Sequence, residues 1–142
     1  MEVWKIKEGL YQSSKIDNLK VFESFKFDAV IDLEGGFDKI HKQGIIYLYF
    51  HFLDMPWLPD RKKLNAVAFL GFSLWCAGAR VLVHCAQGIN RSSLVNGVIL
   101  NLSGRTGKEA VRIITAARPG ALLNPVFRFY LYSLPGKLKP SA

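Results

Sequence analysis

The feature that most constrains the chain is a short apolar run that leads straight into a glycine-containing turn. Val81-Leu82-Val83 is wholly apolar, which is typical of a strand inside a sheet that is covered on both faces. Gly88 lies within the turn, and a helix is predicted to follow from Arg91 to about Leu102. This order of a buried strand, a tight turn and a helix predicts an α/β fold.

Other strands and helices alternate around this unit, and apolar spacing predicts where they lie. The earlier strands are expected at Val3–Ile6, Leu10–Gln12, Ala29–Leu33 and Ile45–Phe52. The other helices are expected over about residues 14–25, over 61–78, from Thr106 to Pro119 and from Asn124 to Pro135. Capping signals mark three starts: Ser14 with Asp17, Thr106 with Glu109, and Asn124 before Pro125.

Composition excludes several classes of protein. The 142 residues fit one domain, and 50% hydrophobic with only 21% charged residues excludes a disordered chain. The longest uncharged run, Leu64 to Ala79, has 16 residues, which is too short to span a bilayer and predicts a mostly buried helix instead. No secretory signal is visible, and Cys76 and Cys85 are too few for a disulfide scaffold. We therefore expect a cytoplasmic protein without a membrane span.

The charge is strongly one-sided. Residues 1–50 hold 7 basic and 8 acidic side chains, whereas residues 51–142 hold 12 and 3, so the two parts carry net charges of −1 and +9. Such a field favours an anionic partner: a phosphorylated protein, a nucleic acid or a lipid headgroup. A generally basic, solvated surface is the simpler interpretation of the same numbers.

The turn itself combines the groups needed for phosphoryl chemistry. Cys85 and Arg91 stand six positions apart, and the backbone N–H groups between them can point inward at the start of a helix, where anions bind. Those amides and the helix dipole favour the nucleophilic thiolate of Cys85. The planar guanidinium of Arg91 can hold two phosphoryl oxygens, and Ser92 is placed to donate to the sulfur.

A leaving alkoxide or phenoxide also needs a proton, so the chemistry requires a carboxylic acid. Residues 51–142 contain only three: Asp54, Asp60 and Glu109. Asp54 follows a predicted strand and opens a segment fixed by prolines, which suits a loop over the site. We predict Asp54 as general acid and then general base, with Asp60 as the second candidate.

The segment His84-Cys85-Ala-Gln-Gly88-Ile-Asn-Arg91-Ser92 resembles the signature loop of the cysteine-dependent phosphatases. Over about residues 3–134, the whole chain resembles a compact dual-specificity phosphatase domain. The interval of 31 residues from Asp54 to Cys85 is similar to the acid-to-nucleophile spacing of that family. Three further segments also look like its recurring elements: Gly9–Ser13, Val30–Leu33 and Ala117–Phe127.

The resemblance implies a single catalytic domain over residues 1–142, with a central, mixed but mostly parallel sheet and helices on both faces. It implies a two-step hydrolysis of phosphomonoesters through a phosphocysteine, without metal or other cofactor. Phosphorylated protein, bearing phosphotyrosine or phosphoserine/threonine, is the implied substrate. His84 would tune the thiol from behind, and Asn124 would either help to fix the loop or serve only as a helix cap. The phosphate-binding loop would comprise Ala86, Gln87, Gly88, Ile89, Asn90 and Arg91.

Two other functions remain open at this point. An Asn directly before the Arg also occurs in RNA 5′-phosphatases and triphosphatases of this superfamily, and Asn90 with the basic charge keeps RNA as an alternative substrate. The uncharged loop residues argue against an inositide substrate. A non-catalytic phosphate-binding relative is the second alternative. Cys76 is predicted to be inert core rather than a redox partner of Cys85, and Trp57 is predicted either to wall the pocket or to pack its loop.

Overall fold

The computed structural model describes residues 1–36, 38, 40 and 42–136. Its strands are β1 Val3–Lys7, β2 Leu10–Ser13, β3 Ala29–Asp32, β4 Ile46–Tyr49 and β5 Val81–His84. Its helices are α1 Leu19–Ser24, α2 Arg61–Cys76, α3 Arg91–Leu102, α4 Gly107–Ala117 and α5 Pro125–Tyr132. Every strand and helix predicted from the sequence is present, with some changes of boundary.

The five strands form one sheet in the order β1-β2-β5-β3-β4. Only the β1–β2 pair is antiparallel, and the pairs β2–β5, β5–β3 and β3–β4 are parallel. The mixed, mostly parallel sheet is therefore confirmed. Because β5 lies in the middle, the chain leaves its carboxyl end with strands on both sides, where open parallel sheets place their ligands.

Helices cover both faces of the sheet, as predicted. Val81 and Val83 of β5 belong to the larger core, beneath α2, α3, α4 and α5. Leu82, which points the other way because side chains alternate along a strand, packs in a smaller core with Phe22 of α1. The apolar run Val81–Val83 is therefore buried on both faces of the sheet.

Helix α3 is the central helix and is buried almost all round. Its residues Ser92 to Leu100 are all buried, and it packs against α2, α4, α5 and the strands β2 and β5. A helix enclosed in this way holds its first residue firmly, and that residue is Arg91. The turn between β5 and α3 thus begins and ends on buried elements.

Helix α1 begins later than the sequence predicts. Ser14 and Asp17 were expected to cap it, but the helix starts at Leu19 and Asn18 is its cap, accepting from the N–H of Val21 at 3.2 Å. Ser14 accepts a hydrogen bond from the N–H of Glu2 instead, and Asp17 pairs with the N-terminal ammonium. Both predicted caps therefore bind residues 1 and 2 instead of the helix. The caps Thr106 and Asn124 are confirmed.

Helix α2 is less buried than predicted, and Cys76 is exposed rather than core. Only Leu64, Ala68 and Gly71 are buried, and a methyl group added at Gly71 would lie 2.8 Å from Ile31, so this face packs closely on its neighbours. The exposed side of the helix is mixed, with Phe69 and Leu70 beside Asn65 and Ser73. Among the residues described, no helix has both the length and the apolar character needed to cross a bilayer.

The position of Cys76 also separates it from Cys85. Cys76 ends α2 before β5 begins, whereas Cys85 follows the last residue of that strand. A four-residue strand is about 13 Å long, and a disulfide requires Cα atoms within about 7 Å. The arrangement argues against pairing between the two thiols in this fold.

Strand β4 is shorter than predicted, and its early end positions the loop that carries Asp54. It stops at Tyr49, after which Phe50 still donates to the carbonyl of Asp32 at 2.9 Å. Phe52 then turns into the core and packs edge-on against Phe127, with ring centroids 6.1 Å apart. Anchored at Phe52, the chain passes over the carboxyl end of the sheet.

Candidate active site

The turn from β5 to α3, residues 85–91, closes tightly over β2. Gly88 has φ +68°, in the left-handed region that favours glycine. A Cβ atom at Gly88 would lie 2.6 Å from the ring of Trp4 and 3.0 Å from the carbonyl carbon of Ser13. Both the backbone conformation and the space therefore require glycine at this position.

Groups outside the loop hold its carbonyl oxygens. The carbonyl of Ala86 accepts from the N–H of Lys15 (3.0 Å), that of Gly88 from Nε2 of Gln12 (3.0 Å), and that of Ile89 from the N–H of Leu122 (2.9 Å). Within the described part of the chain, no backbone N–H of residues 86–90 donates to a backbone carbonyl. These N–H groups, at the start of α3, remain available to an anion.

A buried polar network under the loop was not predicted from the sequence. The side chain of Gln12 donates to Ser93 Oγ at 2.7 Å and accepts from Asn96 Nδ2 at 3.0 Å. All three residues are fully buried. The available signal was the pair Ser93 and Asn96, three residues apart on an otherwise apolar helix, but its partner lies more than 80 residues away.

Cys85 lies at the bottom of a cavity of about 210 Å³. The residues that line it are Asp54, Cys85, Ala86, Gln87, Ile89, Asn90 and Arg91. The sulfur is 3.3 Å from Oγ of Ser92, which is fully buried, and Cys85 itself is only 3% exposed. A group as small as a phosphoryl fits this space, and the thiol is reached only through the cavity.

Arg91 is held at the cavity wall by two carbonyl groups. Its Nη1 donates to the carbonyl of Phe52 at 3.1 Å and lies 3.4 Å from that of Leu33. The side chain is half-buried and lines the cavity. The guanidinium is thereby oriented before any ligand arrives, with further N–H groups left for an anion.

The carboxylate of Asp54 is bound at both oxygens. Oδ2 accepts from Nδ2 of Asn90 and Oδ1 from Nδ2 of Asn124, each at 2.8 Å. Asn124 also caps α5, and its own N–H donates to Oδ1 of Asn90 at 2.8 Å. The side chain of Asn124 thus caps α5 and binds Asp54, while its backbone N–H contacts the loop residue Asn90, so the residue both caps the helix and contacts the loop.

The second candidate acid lies elsewhere. Asp60 caps α2 by accepting from the N–H of Lys63 at 3.0 Å. Among the described residues, the lining of the Cys85 cavity includes neither Asp60 nor Trp57, which is 54% exposed on its loop. Trp57 therefore neither walls this cavity nor packs firmly against the core, so neither predicted role fits.

Behind Cys85, His84 is held by two carboxylates. Its Nε2 lies 2.7 Å from Asp38 Oδ2 and 3.4 Å from Asp32 Oδ1. The hydroxyl of Tyr47 donates to Asp32 and also reaches Asp38 Oδ2 at 3.2 Å. Asp32 and His84 are register partners on adjacent strands, which brings together residues 52 positions apart.

Burial does not change the pKa values of this cluster equally. It raises the pKa of Asp32, and burial followed by the hydrogen bond to Asp32 raises that of Tyr47. For Asp38, burial alone acts to raise the pKa, but the hydrogen bond and charge of His84 outweigh it and the pKa is lowered. Of the two carboxyl groups that face His84, Asp38 therefore loses its proton at lower pH than Asp32.

The same cluster is the candidate metal-ligand set among the described residues. Ligand atoms of Asp32, Asp38 and His84 lie within 4.8 Å of one another. This set was not predicted from the sequence, because Asp32 and His84 meet through strand pairing and Asp38 joins them from the segment between β3 and β4. In the structure His84 Nε2 is hydrogen-bonded to Asp38 Oδ2, and Asp32 accepts a hydrogen bond from the hydroxyl of Tyr47.

Three features together are typical of the fold of the cysteine-dependent phosphatases: a mostly parallel sheet, a cysteine directly after its middle strand, and an arginine at the start of the next helix. This chain has all three. DUSP15 has a solved structure with a TM-score of 0.79 and 26% identity, covering 92% of this chain and 85% of that one. Human DUSP28 gives 0.79 at 20% identity, covering 91% of this chain and 89% of that one. No protein-family model matches the chain.

The sequence comparison leads to the same family. Dual specificity protein phosphatase 15 of Homo sapiens is 34% identical over 125 residues, which cover 84% of this chain and 41% of that protein. Its Mus musculus counterpart is 34% identical over 87 residues, covering 61% and 37%. The chain spans about two fifths of the length of these relatives. The chain belongs to the compact dual-specificity phosphatase family.

Proposed function

We propose that the chain hydrolyses phosphomonoesters of proteins through a phosphocysteine intermediate. One observation carries the proposal. The Cys85 thiol lies at the bottom of a cavity of about 210 Å³ whose walls include Arg91 and Asp54. A nucleophile, an anion-binding guanidinium and a carboxyl group thus face one space of phosphoryl size, beside N–H groups that have no backbone partner among the described residues.

In the first step, the N–H groups of residues 86–91 and the Arg91 guanidinium bind the phosphoryl oxygens. The Cys85 thiolate attacks phosphorus, an S–P bond forms and the P–O bond to the leaving group breaks. Asp54, protonated at this stage, gives its proton to the departing oxygen. The products are a phosphocysteine, the free alcohol or phenol, and an ionised Asp54.

In the second step, Asp54 takes a proton from a water molecule that attacks the phosphocysteine. The S–P bond breaks, inorganic phosphate forms and Cys85 leaves as a thiolate. Ser92 Oγ, 3.3 Å from the sulfur, stabilises that leaving thiolate with a hydrogen bond. Asn90 and Asn124 position Asp54 for both steps, and His84, fixed by Asp38, supports Cys85 from behind.

Phosphorylated protein is the proposed substrate. The relatives are named as dual specificity protein phosphatases, and this supports phosphotyrosine together with phosphoserine and phosphothreonine. The side chains of the loop before Arg91 are uncharged: Ala86, Gln87, Ile89 and Asn90. They supply no cations for the additional phosphates of an inositide.

RNA with a 5′-phosphate or triphosphate is the second candidate, because Asn90 precedes Arg91 and residues 51–142 carry a net charge of +9. It predicts phosphate release from triphosphorylated RNA well above that from phosphotyrosine peptides. Equal or reversed rates would remove it. A non-catalytic relative, which binds a phosphopeptide without turnover, is the remaining alternative.

The test is phosphate release from an aryl phosphate in the presence of a chelator, with wild type beside Cys85→Ser. We expect activity that survives chelation and is lost in the variant. An equal thermal midpoint for the two proteins shows that the loss is chemical rather than structural. No turnover by the wild type, either here or on a phosphopeptide panel, would contradict the proposal.

A further inference from the structure

We infer that an apolar side chain near the phosphorylated residue of the substrate binds in a groove that leads from the Cys85 cavity to α5. We call this the α5 groove and define it by Leu58, Leu123, Pro125, Val126 and Phe129. The inference rests on the proposed phosphatase function and names a determinant of its protein substrates.

The groove is continuous with the candidate active site because adjoining cavities share their lining residues. Asp54 and Asn90 line both the Cys85 cavity and a second cavity of about 270 Å³. Pro125 in turn lines both this second cavity and a third of about 490 Å³. When the phosphorylated residue of a substrate occupies the first cavity, the neighbouring part of the substrate can extend past Asp54 into the third cavity.

The lining changes from polar to apolar along this path. The third cavity is lined by Leu58, Pro125, Val126, Phe129, Tyr130 and Ser133, and no charged side chain is among these described residues. At the rim, Phe129 is 78% and Leu123 68% exposed. A contiguous apolar surface of this kind beside a reaction site marks a binding surface rather than ordinary solvent-exposed surface.

These properties select a peptide over RNA as the occupant. An RNA strand extending from its 5′ end would place further phosphates along the path, and the lining of the second and third cavities in the described structure includes no basic residue to neutralise them. An aliphatic or aromatic side chain instead gains free energy when it leaves water for such a surface. We therefore assign the groove to a Leu- or Phe-sized side chain of a phosphoprotein.

The first experiment uses the intact chain and a series of phosphotyrosine peptides in an alanine background. A single Leu is placed in turn at each of the three positions before and after the phosphorylated residue. We expect kcat/KM to rise about tenfold at one or two positions on one side only. A series in which no position differs from alanine overturns the inference.

The second experiment locates the effect. Phe129→Ala is expected to abolish the Leu preference while leaving the rate on a small aryl phosphate unchanged. Phe69→Ala is the matched control, since Phe69 is also a helical, exposed Phe (57%) but lies on α2 and is not among the residues that line the groove. A preference that survives Phe129→Ala, or that falls equally in the control, contradicts the assignment.

Failure of the inference and failure of the proposed function give different results. If aryl phosphate is hydrolysed but Leu has no effect at any position, the groove assignment is wrong and the phosphatase function stands. If neither aryl phosphate nor any peptide is hydrolysed, the function is wrong and the inference falls with it. Faster hydrolysis of triphosphorylated RNA than of every peptide would also overturn it.

Discussion

Asn90 joins the loop between β5 and α3 directly to Asp54, the proposed general acid. It donates to one oxygen of Asp54, and Asn124 donates to the other. Asn90→Ala therefore frees one side of the carboxylate while Cys85 and Arg91 are retained. We expect kcat/KM for an alkyl phosphate, which reports the step that expels the leaving group, to fall about tenfold. A misplacement of about 1 Å can cost about 100-fold, and here the hydrogen bond from Asn124 to Asp54 remains.

The dependence on the leaving group separates this role from general damage to the loop. A nitrophenolate departs with little help from an acid, so Asn90→Ala is expected to affect nitrophenyl phosphate much less than an alkyl phosphate. Steady-state kinetics with both substrates measure the difference. Asn18→Ala, which removes an exposed helix cap on α1, serves as a control. Equal losses of kcat/KM on both substrates would argue against positioning of Asp54.

Asp32 provides a prediction about stability and pH. Burial raises its pKa above the ordinary value of 3.8, so between those two values the native state binds more protons than the unfolded state. The free energy of unfolding contributed by this group is therefore present below pH 3.8 and is lost as pH rises through the native pKa. In Asp32→Asn that loss is expected to disappear, so the variant gains stability relative to wild type as pH rises.

Urea denaturation from about pH 3 to about pH 7 measures the difference and covers the range in which both carboxyl groups titrate. Asp38→Asn is the companion variant with the opposite sign. The pKa of Asp38 is lowered, so its contribution is present above 3.8 and lost as pH falls. Removing Asp38 is expected to cost more at neutral than at acid pH. If the free energy of unfolding of the two variants changed with pH in the same way, this would contradict the opposite pKa shifts of Asp32 and Asp38.

At the scale of elements, the fit of the loop against β1 and β2 depends on Gly88. Gly88 and Gly78 both have positive φ, +68° and +93°, but a Cβ at Gly78 meets nothing within 4 Å. Gly78→Ala therefore measures backbone strain alone, about 1 kcal/mol. Gly88→Ala adds the overlap with Trp4 and Ser13 and is expected to lose more stability and most of the activity.

Thermal or urea unfolding gives the first comparison and aryl phosphate turnover the second. Gly78 lies in the turn between α2 and β5, at the end of the sheet away from the cavity, so its substitution is expected to leave turnover unchanged. Equal effects of the two substitutions on stability and on turnover would mean that the close approach to Trp4 and Ser13 is not important.

At the scale of the whole molecule, charge sets the response to salt. Residues 51–142 carry +9, and the active-site residues all belong to this part. We expect KM for an acidic phosphopeptide to rise several-fold between about 50 mM and about 500 mM NaCl, with kcat nearly constant, because salt screens long-range attraction. A peptide with neutral flanks is the control. A salt response that does not depend on peptide charge would contradict this view.

Local patterns predicted most of the elements, because capping, apolar spacing and turn residues act within a few positions. The β5–loop–α3 unit and the caps Thr106 and Asn124 are examples. The predicted start of α1 was wrong because its predicted caps, Ser14 and Asp17, bind the first two residues of the chain. The predicted burial of Cys76 was wrong because an apolar composition does not determine which face of a helix is covered.

The supporting parts of the site could not be predicted, since they depend on pairings between distant segments. Asp32, Tyr47 and His84 meet through the registers of three parallel strands. Gln12 meets Asn96 across 84 positions. A single sequence states which polar residues are present in apolar elements, but strand order decides which of them meet.

The anchoring of the loop by its carbonyl oxygens also bears on evolution. Lys15, Gln12 and Leu122 hold the backbone from outside, with two backbone N–H groups and one side-chain amide. The side chains of Ala86 and Gln87 have no part in these three anchors, so they can be exchanged while the N–H groups remain in place. One inherited backbone can therefore acquire new substrate preferences by mutation of the loop side chains, while the N–H groups that we propose bind phosphate stay in place.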